Sequence, residues 1–164
     1  MREVQTMSTE RNIPIIIYFI TFSMFCCFLQ ISGTLHHPNL LLLMGICIKD
    51  GQLVMVTEYL SRGSVYQVLR PPKTEDIPSF RVRMTMAKQC AQGMNWLHQQ
   101  TSLLHLDLKT PNLLVDENFN VKIADFGLSK YKSEELNKRV GSPYFMAPEM
   151  LLSKPYDSKA DVYR

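Results

Sequence analysis

A strong charge of one sign is missing from this chain. Its 18 Lys and Arg stand against 15 Asp and Glu, a net charge of +3 in 164 residues. That balance excludes a massed basic face of the kind that grips nucleic acid. Lys122, Lys130, Lys132, Lys138 and Arg139 form the densest basic group and read as a solvated face. Cysteine is scarce as well. Cys26, Cys27, Cys47 and Cys90 have no zinc spacing, and two of them are adjacent in an apolar run. A disulfide framework is therefore not expected, which fits a reducing, cytoplasmic setting. There is no internal repeat. At 46% hydrophobic and 20% charged, the composition is that of an ordinary globular domain. The length fits one domain or a piece of one.

Charge is also absent between Arg11 and Lys49. Within that gap Ile13–Ile31 is an apolar run about long enough to span a bilayer. A signal peptide fits less well, since Glu3 and Glu10 lie in the short start and no small-residue cleavage site is clear.

What is present concentrates in residues 103–127, LLHLDLKTPNLLVDENFNVKIADFG. Asp107, Lys109 and Asn112 follow one another in His-x-Asp-x-Lys-x-x-Asn order, and Asp125-Phe126-Gly127 comes after them. Phosphoryl transfer from a nucleotide needs such parts. One carboxylate meets the acceptor hydroxyl, a lysine reaches the transferring phosphate, and an amide oxygen with a second carboxylate holds a metal ion. Asn112-Leu113-Leu114-Val115 and Val121-Lys122-Ile123-Ala124 are short apolar runs separated by Asp116-Glu117-Asn118. They predict a hairpin that carries Asn112 and Asp125 to one edge. Upstream, Met86, Cys90, Met94 and Leu97 fall on one helical stripe within residues 79–100, a core face. Pro78 and Ser79 mark its start. Leu53–Leu60 is an apolar run ending in a polar break, a buried strand and its turn. Arg70–Asp76 is a linker between two helices.

With Ala147-Pro148-Glu149 downstream, this ordered set resembles a eukaryotic protein kinase from Leu35 to Tyr163. Lys109 is the Ser/Thr-type choice in the catalytic loop. Gly141-Ser142-Pro143-Tyr144-Phe145-Met146, His37-Pro38-Asn39-Leu40 and Glu58-Tyr59-Leu60 are similar to the tyrosine-kinase-like group. The resemblance implies an α+β, two-lobe fold, here truncated at both ends. It implies transfer of the ATP γ-phosphoryl group to protein Ser or Thr with Mg2+. Asp107, Lys109, Asn112 and Asp125 would be catalytic, and Asn112 and Asp125 would hold the metal. The Glu58 carbonyl and Leu60 N–H would meet the adenine edge, with Thr57 behind it and Leu114 beneath. His105 and Phe126 would pack to hold the site. ATP and a protein substrate are the expected partners, with no nucleic acid. A membrane contact is expected only through Ile13–Ile31.

Three departures accompany the resemblance. The family usually has Arg where Leu106 stands, and Leu106 cannot anchor a phosphorylated activation segment by charge. The glycine-rich loop and the Val-Ala-x-Lys strand are absent. Met1–Thr9 instead resembles the middle of the small-lobe helix, with Glu3 as its acid. Residues 10–34 read as an apolar insertion foreign to the fold, within a partial kinase domain of residues 1–164. Their T-rich codon set points to a translated intron, and a membrane span is the competing reading. The chain as written is expected to be inactive. The alternatives are a pseudokinase-like interaction module and a kinase anchored in membrane through residues 13–31.

Overall fold

The computed structural model describes residues 3–8, 14–20, 36–49, 52–73, 76–133 and 136–164. Four strands form the first sheet: β1 (Glu3–Ser8), β2 (Pro14–Ile20), β3 (Leu43–Lys49) and β4 (Gln52–Glu58). They lie in the order β1-β2-β4-β3, each pair antiparallel. Val54 and Met55 of β4 are buried, as its apolar run predicts.

The first strand corrects the reading of Met1–Thr9 as helix. Six residues cannot hold a helix without tertiary support. An Ile- and aromatic-rich neighbour offers them a ladder instead, and such residues favour strands. Glu3 sits opposite Tyr18 in that ladder. Of the stretch 10–34, Pro14–Ile20 lies in the sheet, with Ile15 opposite Glu58 and Ile20 opposite Leu53. Its other residues lie outside those described, as does most of the run Ile13–Ile31 read as a possible span. Among the described residues no helix is long and apolar enough to cross a membrane.

The helical part is built around α2 (Phe80–Gln100), which follows the short α1 (Val65–Val68). Ser79 caps α2, its hydroxyl accepting from the Val82 N–H. The expected stripe faces inward: Met86, Met94 and Leu97 are buried and Cys90 is half-buried. Leu97 and Met94 pack with Leu40, Met55, Leu103, Ile123 and Phe126. Burial of each such side chain stabilises by roughly 1.5–3 kcal/mol. Gly93 lets the helix approach closely, for a Cβ there would lie 3.0 Å from the Asn39 carbonyl oxygen.

After β5 (Leu103–Leu104) comes the predicted hairpin, β6 (Leu113–Val115) and β7 (Val121–Ile123). The Asp116 carboxylate closes its turn by accepting from the N–H groups of Asn118 and Asn120. The segment around Asn39 is stitched to β7. The Ile123 N–H donates to the Asn39 carbonyl, and the Asn39 side chain donates to the Val121 carbonyl. A short β8 (Lys130–Tyr131) pairs with β5. Two short helices follow, α3 (Pro148–Leu151) and α4 (Lys159–Tyr163).

Candidate active site

The loop between β5 and β6 is held from both sides. His105 is fully buried, and its ring leans on Phe126 with centroids 5.2 Å apart. Nδ1 of His105 accepts from the Asp107 N–H, which leaves Nε2–H to donate to the Ala124 carbonyl at 3.0 Å. Burial pushes its pKa down against the pull of Asp161, so the ring is neutral. His105 thereby ties the Asp107 backbone to the segment that runs from β7 to Asp125.

Asp107 is buried and densely bonded. Its Oδ2 accepts from Lys109 Nζ at 2.6 Å and from Asn112 Nδ2 at 3.1 Å. Its Oδ1 accepts from the Ser142 N–H at 2.9 Å and the Ser142 hydroxyl at 3.0 Å. Burial pushes this carboxyl up, but the bonds from Lys109 and Ser142 outweigh it and hold the pKa below the ordinary value. Asp107 is thus an anion at neutral pH. Lys109 also donates to Ser142 Oγ at 2.7 Å. Asn112 donates to the Asp107 carbonyl at 2.9 Å, which leaves its own Oδ1 outside these bonds.

Asn112 and Asp125 line one cavity of about 830 Å³, together with Leu60, Leu114, Met55 and Phe126. Asp125 is half-buried and takes the left-handed backbone, φ 65°. A non-glycine residue in that region marks a position over-determined by its surroundings.

Of the expected residues, Asp107, Lys109 and Asn112 are in direct contact. Asn112, Asp125, Leu60 and Leu114 share the cavity wall. The Glu58 side chain is engaged elsewhere. Its carboxylate takes both a bidentate contact from Lys122 Nζ, at 2.7 and 2.8 Å, and the Leu42 N–H at 2.8 Å. The Glu58 carbonyl accepts from the Thr57 hydroxyl.

Two contributors escaped the sequence reading. Ser142 stood there only as part of the Gly141–Met146 stretch, yet it bonds both Asp107 and Lys109. Asp161 was given no role there. Its buried carboxylate accepts from the N–H groups of His105 and Leu106, both at 2.8 Å, and from His98 Nε2 at 2.9 Å. Leu106 between them has φ 61° and is fully buried among Leu104, Met146, Ala147 and Met150.

Gly141 allows the activation segment to reach this loop. Its φ is 90°, and a Cβ there would lie 2.2 Å from the Leu106 carbonyl oxygen. Gly141→Ala is therefore expected to cost about 1–3 kcal/mol in backbone strain, before any displacement of the loop. Urea unfolding followed by Trp96 fluorescence measures it, and an unchanged midpoint would contradict the close approach.

Comparison with known proteins agrees with this geometry. A model of the protein kinase domain matches residues 28–164. The chain belongs to the protein kinase family, within the Ser/Thr type of the tyrosine-kinase-like group. It is similar to the dual specificity protein kinase shkB of Dictyostelium discoideum, at 46% identity over 82% of this chain and 21% of that protein. It is also similar to the serine/threonine-protein kinase CTR1 of Arabidopsis thaliana, at 44% identity over 81% of this chain and 17% of that protein. The chain thus spans about a fifth of the length of these relatives. Its mixed strands and helices are those of a partial two-lobe kinase fold.

Proposed function

We propose that this site transfers the γ-phosphoryl group of ATP to a Ser or Thr hydroxyl of a protein substrate. The observation that carries this reading is the shared bonding of Asp107, Lys109 and Asn112, beside a cavity that Asn112 and Asp125 line. The cavity volume suits a nucleotide. The Asn112 amide oxygen and the Asp125 carboxylate are hard oxygen donors, the kind Mg2+ takes. When bound, the metal ion would neutralise charge on the phosphates.

Asp107 orients the acceptor hydroxyl. The hydroxyl oxygen bonds to the γ-phosphorus as the bond to the bridging oxygen breaks, and the hydroxyl proton passes to Asp107. A carboxylate of lowered pKa is a weak base, so its main contribution is orientation. Lys109 Nζ offers charge to the transferring group. The Glu58 carbonyl and the Leu60 N–H serve the adenine edge, with Leu114 beneath. Cys47 and Cys90 are free thiols, which fits a cytoplasmic setting.

Binding is the direct test of the metal and nucleotide site. Asp125→Ala should remove the magnesium dependence of ATP binding, weakening binding in Mg2+ by about tenfold or more. Isothermal titration with and without Mg2+ reads this. Unchanged magnesium dependence would sink the assignment of Asp125. Magnesium-independent binding by the wild type would favour an interaction module instead.

The family match begins at residue 28, beyond β1 and β2. That match takes in residues 28–34 as well, so the reading of residues 10–34 as an insertion, a translated intron before a membrane span, rests on their composition and on the motif spacing around them. Native transcripts that carry these residues would overturn the intron reading.

A further inference from the structure

The Arg164 side chain is wholly buried beside the catalytic loop. One Nη2–H donates to the Val140 carbonyl at 3.1 Å, and Nη2 lies 3.5 Å from the Met150 sulfur. Nη1 lies 4.0 Å from Asp107 Oδ1. Nε and Nη1 have no hydrogen-bond partner among the described residues. A buried guanidinium with spare donors is costly unless an anion faces it. Burial lowers its pKa, while Asp161, Asp107 and Tyr156 push it back up, and guanidinium stays charged at neutral pH.

The surroundings give this charge a task. Leu106 brings none to the loop, and its carbonyl abuts Gly141 of the activation segment. The Arg164 guanidinium touches both partners of that contact: the segment through Val140 and the loop through Asp107. We propose that Arg164 is a positioning residue, a buried cation that joins the activation segment to Asp107 and supplies, from the C-cap of α4, the charge that Leu106 lacks. The proposal rests on the reading of Asp107 as the residue that meets the acceptor hydroxyl. Phosphorylation is not needed for this tie, because Val140 contributes a backbone carbonyl and Asp107 is already an anion.

Asp107 is faced by Lys109, Ser142 and Asn112 as well as by Arg164, and His105 accepts its N–H. Loss of Arg164 should therefore weaken the hold on its carboxyl without abolishing it. The test uses the full chain, isotopically labelled, with amide exchange followed by NMR at Asp107, Val140, Gly141 and Ser142. Arg164→Met should speed exchange at these amides by about tenfold. Arg164→Lys, which keeps the charge, should hold exchange near that of the wild type. A folded Arg164→Met with unchanged exchange would overturn the proposal. If Arg164→Met does not fold, the wild type decides. Arg164 Nη–H groups protected from solvent support the tie, and their exchange at the rate of free arginine refutes it. Magnesium-dependent ATP binding at Asn112 and Asp125 is read separately, so failure of the proposed function would show there alone.

Discussion

Asp161→Ala is expected to destabilise the fold by about 3–5 kcal/mol. The carboxylate is 3% exposed and serves three donors: the backbone N–H groups of His105 and Leu106 and the ring of His98. Its removal leaves two buried amides unsatisfied in a loop where Leu106 already holds φ 61°. Asp161→Asn should fall between, since its one carbonyl oxygen can serve only part of the set. Burial pushes the Asp161 carboxyl up, but the bonds from His98, Leu106 and His105 outweigh it and hold the pKa below the ordinary value. The sign of the pH dependence follows. This stabilisation is present above the ordinary carboxylate value and is lost as pH falls through the lowered one. Urea unfolding at neutral pH, followed through Trp96, measures the difference. A loss below about 1 kcal/mol would mean that the loop finds other acceptors.

Leu106→Arg should also destabilise, by about 3–5 kcal/mol, although arginine is the residue the family usually has there. The side chain at 106 is fully buried against Leu104, Met146, Ala147, Met150, Tyr156 and Ala160, with Leu136 and Val140 at the margin. A second guanidinium would enter this apolar cluster with Arg164 already in place. It would lose its hydration and meet a like charge. Leu106→Met is the control, a volume-conserving change expected to cost less than about 1.5 kcal/mol. Equal or greater stability of Leu106→Arg would show that this pocket accepts charge, and that Leu106 is not the apolar clasp its contacts describe.

Much of the site was legible because its signals are local. The 3.6-residue stripe of Met86, Cys90, Met94 and Leu97 gave α2. The two apolar runs around Asp116 gave the β6–β7 hairpin. The short spacing of Asp107, Lys109 and Asn112 brought them together on one loop. What escaped depends on distant partners. Asp161 reaches residues 105 and 106, and Ser142 reaches residue 107, through folding of the activation segment that no short window encodes. Arg164 lies further still from Asp107 along the chain. The stretch Glu3–Ser8 failed for a related reason: at that length the neighbouring strand decides between helix and ladder.

The linker after β4 spans between two abutments on a single support. At one end the Glu58 carboxylate grips Lys122 of β7. At the other, the Arg62 N–H donates to the Val115 carbonyl, and the Val115 N–H donates to the Gly63 carbonyl, both on β6. The arc of Tyr59, Leu60 and Ser61 is therefore clamped at each foot to the same hairpin that carries Asn112 and leads to Asp125. Both feet of the arc are thus tied to that hairpin, and the first is also the last residue of β4. A flat ring sliding beneath the arc would meet a slot of fixed gauge, with the two oxygen donors built into the same frame.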